Sequence, residues 1–182
     1  MSAVLQSFEA GLEPLTVEQL DAVLAIEQRA YSHPWTRANF IDSLAVGYHC
    51  RALVGPALPA SASTLESVGQ TLIGYYVAMM GADEVHLLNI TIAPEFQRQG
   101  WAPLMLEALA GWGRAQQAQW LWLEVRASNA RALAVYARHG FRHVGLRKGY
   151  YPSLRTPRED AIVMRLRLDA ASAWGGLQGS AT

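Results

Sequence analysis

The stretch NITIAPEFQRQGWAPLML, Asn89 to Leu106, decides the fold. Its front end continues an alternation that begins at Val85. Val85, Leu87, Asn89 and Thr91 share one face, and His86, Leu88, Ile90 and Ile92 share the other, the period of a strand set between two faces. Pro94 stops that strand, because it fixes φ and lacks an N–H. Trp101, Met105, Ala108 and Trp112 then recur at helical spacing. Between strand and helix runs Gln97 to Pro103. Gly100 permits close backbone approach, Ala102 is small, and Pro103 suits a first helical turn. A helix opening on such a turn offers free N–H groups and the positive end of its dipole to an anion. The residues alone leave a plain turn and a phosphate site both open. The sequence has no GxxxxGK[ST] and no GxGxxG, so neither a P-loop nor a dinucleotide fingerprint is present.

Upstream, Gly11 to Leu15 reads as a first short strand. Thr16 and Gln19 have capping-box spacing and start a helix over Val17 to Ala30. Leu20, Val23, Leu24 and Glu27 fall at i, i+3, i+4 and i+7, so the apolar stripe ends in a carboxylate, expected at a solvated helix edge. Thr36 caps a second helix over Arg37 to Ala45, with Phe40, Ile41 and Leu44 inward. Strands are expected over His49 to Val54 and Thr71 to Met80. Between them Gly55 to Gln70, rich in Pro, Ala and Ser, reads as a long surface loop.

Downstream, Trp120 to Arg126 alternates as a strand, with Leu121, Leu123 and Val125 on one face and Trp120, Trp122, Glu124 and Arg126 on the other. Ser128 is positioned to cap a helix over Asn129 to His139, which Gly140 ends. Phe141 to Arg147 and Asp160 to Leu168 are two closing strands around a basic, aromatic loop, KGYYPSLRTPRE. The order predicts an α/β fold with a mixed sheet. The sheet is mostly antiparallel, with one parallel pair joined through the helix after Gly100 and helices on its faces. One domain is expected over residues 1–168, followed by a frayed Ala-, Gly- and Ser-rich tail over 169–182.

Composition narrows the function. Fifteen basic and fifteen acidic residues cancel, so no global field recruits nucleic acid or membrane. One cysteine, Cys50, precludes an internal disulfide framework and suits a reducing cytoplasm. The N-terminus reads without a signal peptide, and no apolar run reaches membrane-spanning length. The histidines, His33, His49, His86, His139 and His143, have no metal-ligand spacing, so no metal is expected. His139 reads as a residue complementing a helix C-terminus.

Two side chains stand out near the strand ends, where ligands of open α/β sheets bind. Glu124 follows Trp-Leu-Trp-Leu, and a carboxylate in apolar bulk is a candidate general base. The competing reading pairs it with Arg126. Tyr136 lies seven residues after Asn129 on the same helix face, and is either a buried core phenol or a group that reaches a reacting atom. Cys50 reads as a small buried hydrophobe rather than a nucleophile. The loop with Arg147, Lys148, Tyr150, Tyr151, Arg155 and Arg158 is solvated, borders a substrate groove or meets an acidic partner.

QRQGWA resembles the Q/R-x-x-G-x-G/A pyrophosphate loop of the GNAT N-acetyltransferases, and the order of elements agrees from about Gly11 to Leu168. IEQRAYSHPW, LLNITIAPEFQRQG, LWLEVRASNARALAVYARHGF and GYYP with REDAIVM look like the RimI-type ribosomal-protein-alanine N-acetyltransferases. The resemblance implies a cytoplasmic enzyme with acetyl-CoA as donor. As acceptor it implies a ribosomal-protein N-terminus, the N-terminal alanine of protein eighteen of the small subunit. It implies that Ile90, Thr91 and Ile92 lie along the pantetheine arm. Arg98, Gln99, Gly100, Trp101, Ala102 and Pro103 would cradle the pyrophosphate, and Asn129 would bond the cofactor near its reactive end. Glu124 matches the proton acceptor and Tyr136 the proton donor. Trp101 is bulkier than the usual aliphatic residue, and Pro103 lacks an N–H for a phosphate oxygen. The alternatives are a GNAT enzyme acting on a lysine or small amine, and a non-catalytic acyl-CoA sensor that would need neither Glu124 nor Tyr136.

Overall fold

The computed structural model describes residues 9–56, 64–65, 69–152 and 158–168. The chain runs β1 (Gly11–Pro14), a 3-10 turn (Val17–Gln19), α1 (Leu20–Ala30), α2 (Arg37–Ala45), β2 (His49–Pro56), β3 (Thr64–Leu65), β4 (Gln70–Met80) and β5 (Glu84–Ile92). A second 3-10 turn (Pro94–Phe96) leads to α3 (Trp101–Ala115), β6 (Trp120–Arg126), α4 (Ala130–Arg138), β7 (Arg142–Tyr151) and β8 (Glu159–Arg167). This is the mixed α/β architecture the sequence predicts. The chain forms two compact units. The first holds residues up to Ala78 with Leu88–Met105, and the second holds Met79–Leu87 with residues from Leu106 onward.

In the first unit, β1 pairs antiparallel with β2, and β2 pairs antiparallel with β4, from His49 opposite Ala78 to Pro56 opposite Gln70. The end of β5 lies beside β4. Gly74 makes that contact possible: a Cβ there would sit 2.5 Å from the Thr91 carbonyl oxygen, closer than any side chain tolerates. Thr16 N–H donates to Gln19 Oε1 at 3.1 Å, so the expected capping residues do open this segment, by a 3-10 turn that passes into α1. Leu20, Val23 and Ile26 are fully buried, each worth about 1.5–3 kcal/mol of apolar burial.

Three expectations for this unit need correction. Glu27 is not at a solvated edge but has 0% exposure, because polar partners wait for it inside. On α2 Phe40 is buried but Ile41 is exposed, since the buried side runs through Phe40 and Ser43, three residues apart. Thr64–Leu65 of the expected loop is a short strand on β4. The rest of that segment between Pro56 and Gly69 lies outside the described residues.

In the second unit, β5 starts parallel to β6, from Glu84 opposite Trp120 to Leu87 opposite Leu123. The connection between them passes through α3. β6 then pairs antiparallel with β8, and β8 with β7. Leu121, Leu123 and Val125 are buried, as their alternation predicts. On α3 the buried stripe is Met105, Leu106, Leu109 and Ala110. Trp101, Ala108 and Trp112 flank it, half-buried. The helix cap predicted at Ser128 falls one residue later: Asn129 Oδ1 accepts from Ala132 N at 3.1 Å, while Ser128 N–H goes to Glu159. β7 runs further than predicted, through Lys148 to Tyr151, because Tyr151 regains register opposite Glu159 and Arg158 donates to the Gly149 and Tyr150 carbonyls. Arg155, in the expected basic loop, and the tail over 169–182 lie outside the described residues.

Candidate active site

The first unit carries the predicted anion loop. Arg98, Gln99 and Gly100 are exposed between the 3-10 turn and α3. Arg98 has φ +65° and Gly100 φ +89°, both in the left-handed region. At Gly100 only glycine holds this geometry without strain, and an added Cβ would meet nothing within 4 Å. Gln99 Nε2 donates to the Glu95 carbonyl and Trp101 Nε1 to Gln99 Oε1, so side chains brace the loop. Trp101 and Ala102 offer N–H groups at the helix start, and Pro103 offers none. The residues fit a diphosphate held mainly by backbone.

Beside this loop the end of β5 is organised by a network that sequence reasoning missed. Glu27 Oε1 accepts from Tyr75 Oη at 2.6 Å and from Asn89 Nδ2 at 2.8 Å. Its Oε2 accepts from Trp35 N at 2.9 Å. Thr91 Oγ1 donates to Asn89 Oδ1 at 2.9 Å, and Tyr31 Oη reaches the Ile90 carbonyl at 3.1 Å. Burial, reinforced by the Glu27 carboxylate, pushes the Tyr75 phenol above its ordinary range, and Tyr31 is pushed up to about 12 by burial first. Both phenols therefore remain donors at any working pH. The Thr91 side chain is committed to this network, so only its backbone remains for a ligand, while Ile90 is half-buried and Ile92 buried. The one available signal was a carboxylate on an otherwise apolar helical stripe.

In the second unit, Glu124 lies on the half-buried face of β6, its side chain 18% exposed. Its partner is not Arg126. Arg126 bonds Glu159 Oε2 at 2.9 Å and lies 4.5 Å from the centre of the Tyr151 ring. Glu124 Oε1 is instead 3.4 Å from Arg147 Nη2, a long contact to a side chain 55% exposed. Tyr151 Oη donates to the Glu124 backbone carbonyl at 3.0 Å. Hydrogen bonds from Ser128, then from Arg126, hold the Glu159 carboxyl below its ordinary range, so it stays charged and braces the end of β6. Tyr151 and Glu159, from the GYYP and REDAIVM segments, thus brace the end of β6, a role their sequence context did not specify. Tyr136 is half-buried rather than a sealed core phenol, its ring 5.7 Å from that of Phe141. Asn129 spends its carbonyl on the α4 cap.

The other candidates are structural. Cys50 is buried and its thiol is pushed up to about 11 by burial, which leaves it protonated and unreactive. His139 does end α4, but burial lowers its pKa, so it sits there as a neutral imidazole rather than a cation.

The strand thus leads through a left-handed, glycine-containing turn into the start of α3, an arrangement distinct from the Walker and dinucleotide loops. The chain belongs to the acetyltransferase (GNAT) family, whose pattern its residues 20–141 match. It is an acetyltransferase. It is 34% identical over 152 residues to the [ribosomal protein bS18]-alanine N-acetyltransferase of Salmonella typhimurium, a match covering 84% of this chain and 93% of that protein. The crystal structure of the ribosomal-protein-S18-alanine N-acetyltransferase from Escherichia coli superposes with a TM-score of 0.74 at 32% identity, covering 94% of this chain and all of the other. The NatC complex bound to Gag peptide and CoA shares the fold, with a TM-score of 0.71 at 18% identity over 88% of this chain and 99% of that one.

Proposed function

We propose that this protein transfers the acetyl group of acetyl-CoA to the α-amine of the N-terminal alanine of ribosomal protein bS18. The observation that carries the reading is the 34% identity, over 84% of the chain, to an enzyme of that name. We assign one catalytic domain to residues 1–168 and a cytoplasmic location. The ribosomal-protein N-terminus is the partner.

On this reading Arg98, Gln99, Gly100, Trp101, Ala102 and Pro103 receive the pyrophosphate. Ile90, Thr91 and Ile92 supply backbone groups along the pantetheine, and the Asn129 amide donates near the thioester. An α-amine has a reference pKa of about 8, so much of it is protonated at neutral pH. Glu124 takes that proton, directly or through a water. The free amine attacks the thioester carbonyl, and amides near Ile92 stabilise the developing oxyanion. The intermediate's nitrogen gives up its second proton as the C–S bond breaks. That proton passes through solvent to the leaving sulfur, giving the free thiol of CoA, and the departing thiolate meanwhile receives a hydrogen bond from Tyr136. With reference values of about 10 for a phenol and about 8.5 for a thiol, full transfer from Tyr136 is uphill by roughly 2 kcal/mol. Tyr136 therefore acts mainly by stabilising the departing charge.

The test is acetyl-CoA with a panel of peptides that differ at the N-terminus, and mass spectrometry to locate the acetyl group. Modification of the α-amine of the bS18 N-terminal peptide is expected. Acetylation confined to lysine would overturn the assignment.

A further inference from the structure

Glu27 has no exposed surface and no part in the chemistry proposed above, yet it accepts three hydrogen bonds of 2.9 Å or shorter. We propose that Glu27 and Tyr31, four residues apart on α1, are positioning residues that hold the backbone of Asn89–Thr91 in the shape that receives the pantetheine arm of acetyl-CoA. This rests on the reading above in which Ile90, Thr91 and Ile92 line the pantetheine of the acetyl donor, here called the donor-strand reading.

The two side chains project from successive turns of α1 onto the same three residues of β5. Glu27 fixes Asn89 through its amide at 2.8 Å, and Asn89 in turn accepts from Thr91 at 2.9 Å. Tyr31 bonds the backbone itself, at the Ile90 carbonyl. The donors run one way, from Thr91 to Asn89 to Glu27, with Tyr75 completing the same carboxylate oxygen. A carboxylate is acceptor-only, so it alone among side chains of this size takes all of these donors at once. The clamp stands where ladder bonding changes. The parallel register covers Glu84 to Leu87, and Leu88 to Ile92 lie beyond it. Amides that face a ligand cannot also brace the segment, so its pairing with β4 on one edge and the clamp from α1 have to hold it. Gly74 completes the arrangement by letting the Thr91 carbonyl approach β4. Holding the segment in its bound shape lowers the ordering cost on binding, so the clamp's effect falls on donor affinity.

The full-length protein, Tyr31→Phe and Glu27→Ala are compared by calorimetric titration with CoA and by steady-state kinetics. Tyr31→Phe deletes one hydroxyl of a half-buried ring. A hydrogen bond contributes about 1 kcal/mol, so CoA is expected to bind about fivefold more weakly. KM for acetyl-CoA rises by the same factor, while kcat and KM for the peptide stay within twofold. Glu27→Ala weakens CoA further. If that variant does not fold, Tyr31→Phe decides alone. A general loss of folded protein would lower kcat and leave KM unchanged, and that pattern overturns the proposal. So does Tyr31→Phe binding CoA within twofold of wild type. Wild-type protein that fails to bind CoA would overturn the donor-strand reading itself, and the clamp's role with it.

Discussion

Glu27 and Glu124 are both carboxylates set among apolar residues, and the structure treats them oppositely. Glu27 is sealed, and short bonds from Tyr75, Asn89 and Trp35 occupy both of its oxygens. Glu124 keeps part of its surface, and its carboxylate lies 3.4 Å from the half-exposed Arg147 guanidinium. Glu27 accepts three short hydrogen bonds on its two oxygens and so ties together the elements that donate them. Glu124, with one long ion-pair contact, keeps unused acceptor sites, which suits the proton-acceptor role proposed for it above.

The sharpest way to break this contrast is Glu124→Gln. The expected loss in kcat is about a hundredfold or more, with thermal unfolding unchanged. A rate and pH dependence equal to wild type would remove Glu124 from the chemistry. Tyr136→Phe comes next, with an expected loss of about tenfold or more. A loss under about threefold would return Tyr136 to a packing role. The converse substitution, Glu27→Ala, strands buried donors on Tyr75, Asn89 and Trp35. About 3 kcal/mol of lost stability is expected, which for a chain of this length lowers Tm by about 10 °C. A Tm shift below about 2 °C, read by calorimetry, would mean that water replaces the carboxylate and that Glu27 is no scaffold.

Two smaller effects sharpen the picture. Burial, with Arg51 adding to it, holds His49 down at about 4, against an ordinary value of 6.5. Between these values the unfolded chain binds the extra proton, so the contribution of neutral His49 is complete above about pH 6.5 and is lost as pH falls toward 4. Thermal unfolding at pH 7.5 and pH 5 should show a drop at the lower pH that His49→Asn reduces. The smallest expected effect is Pro103→Ala, which restores an N–H at the start of α3. CoA should bind about two- to threefold more tightly by calorimetry. Unchanged affinity would show that Trp101 and Ala102 already supply all the amides the phosphates use.

Local rules made much of this molecule readable in advance. Alternation located β5 and β6, glycine located the end of α4 at Gly140, and the capping pair Thr16–Gln19 located the entry to α1. They failed where a local cue had several outcomes. Ser128 and Asn129 are both good caps, and Glu159, thirty-one residues away, claims the Ser128 N–H and shifts the cap to Asn129. Arg126 is two residues from Glu124 on the same strand face, but Glu159 and the Tyr151 ring claim it first. Glu27 sat in plain view on an apolar stripe, and nothing near it in the chain announced Tyr75, Asn89 or Thr91.

The sequence by itself determined the element order, the parallel crossover and the glycine-bearing turn before α3, because strand period, proline, glycine and helix spacing act over a few residues. It also contained Glu124, Tyr136 and Asn129 in a recognisable pattern. The tertiary structure alone decided which carboxylate is buried and bonded and which stays available. That choice depends on partners forty-eight to sixty-four residues away from Glu27 along the chain, and hydrogen bonds at such separations exist only once the sheet has formed.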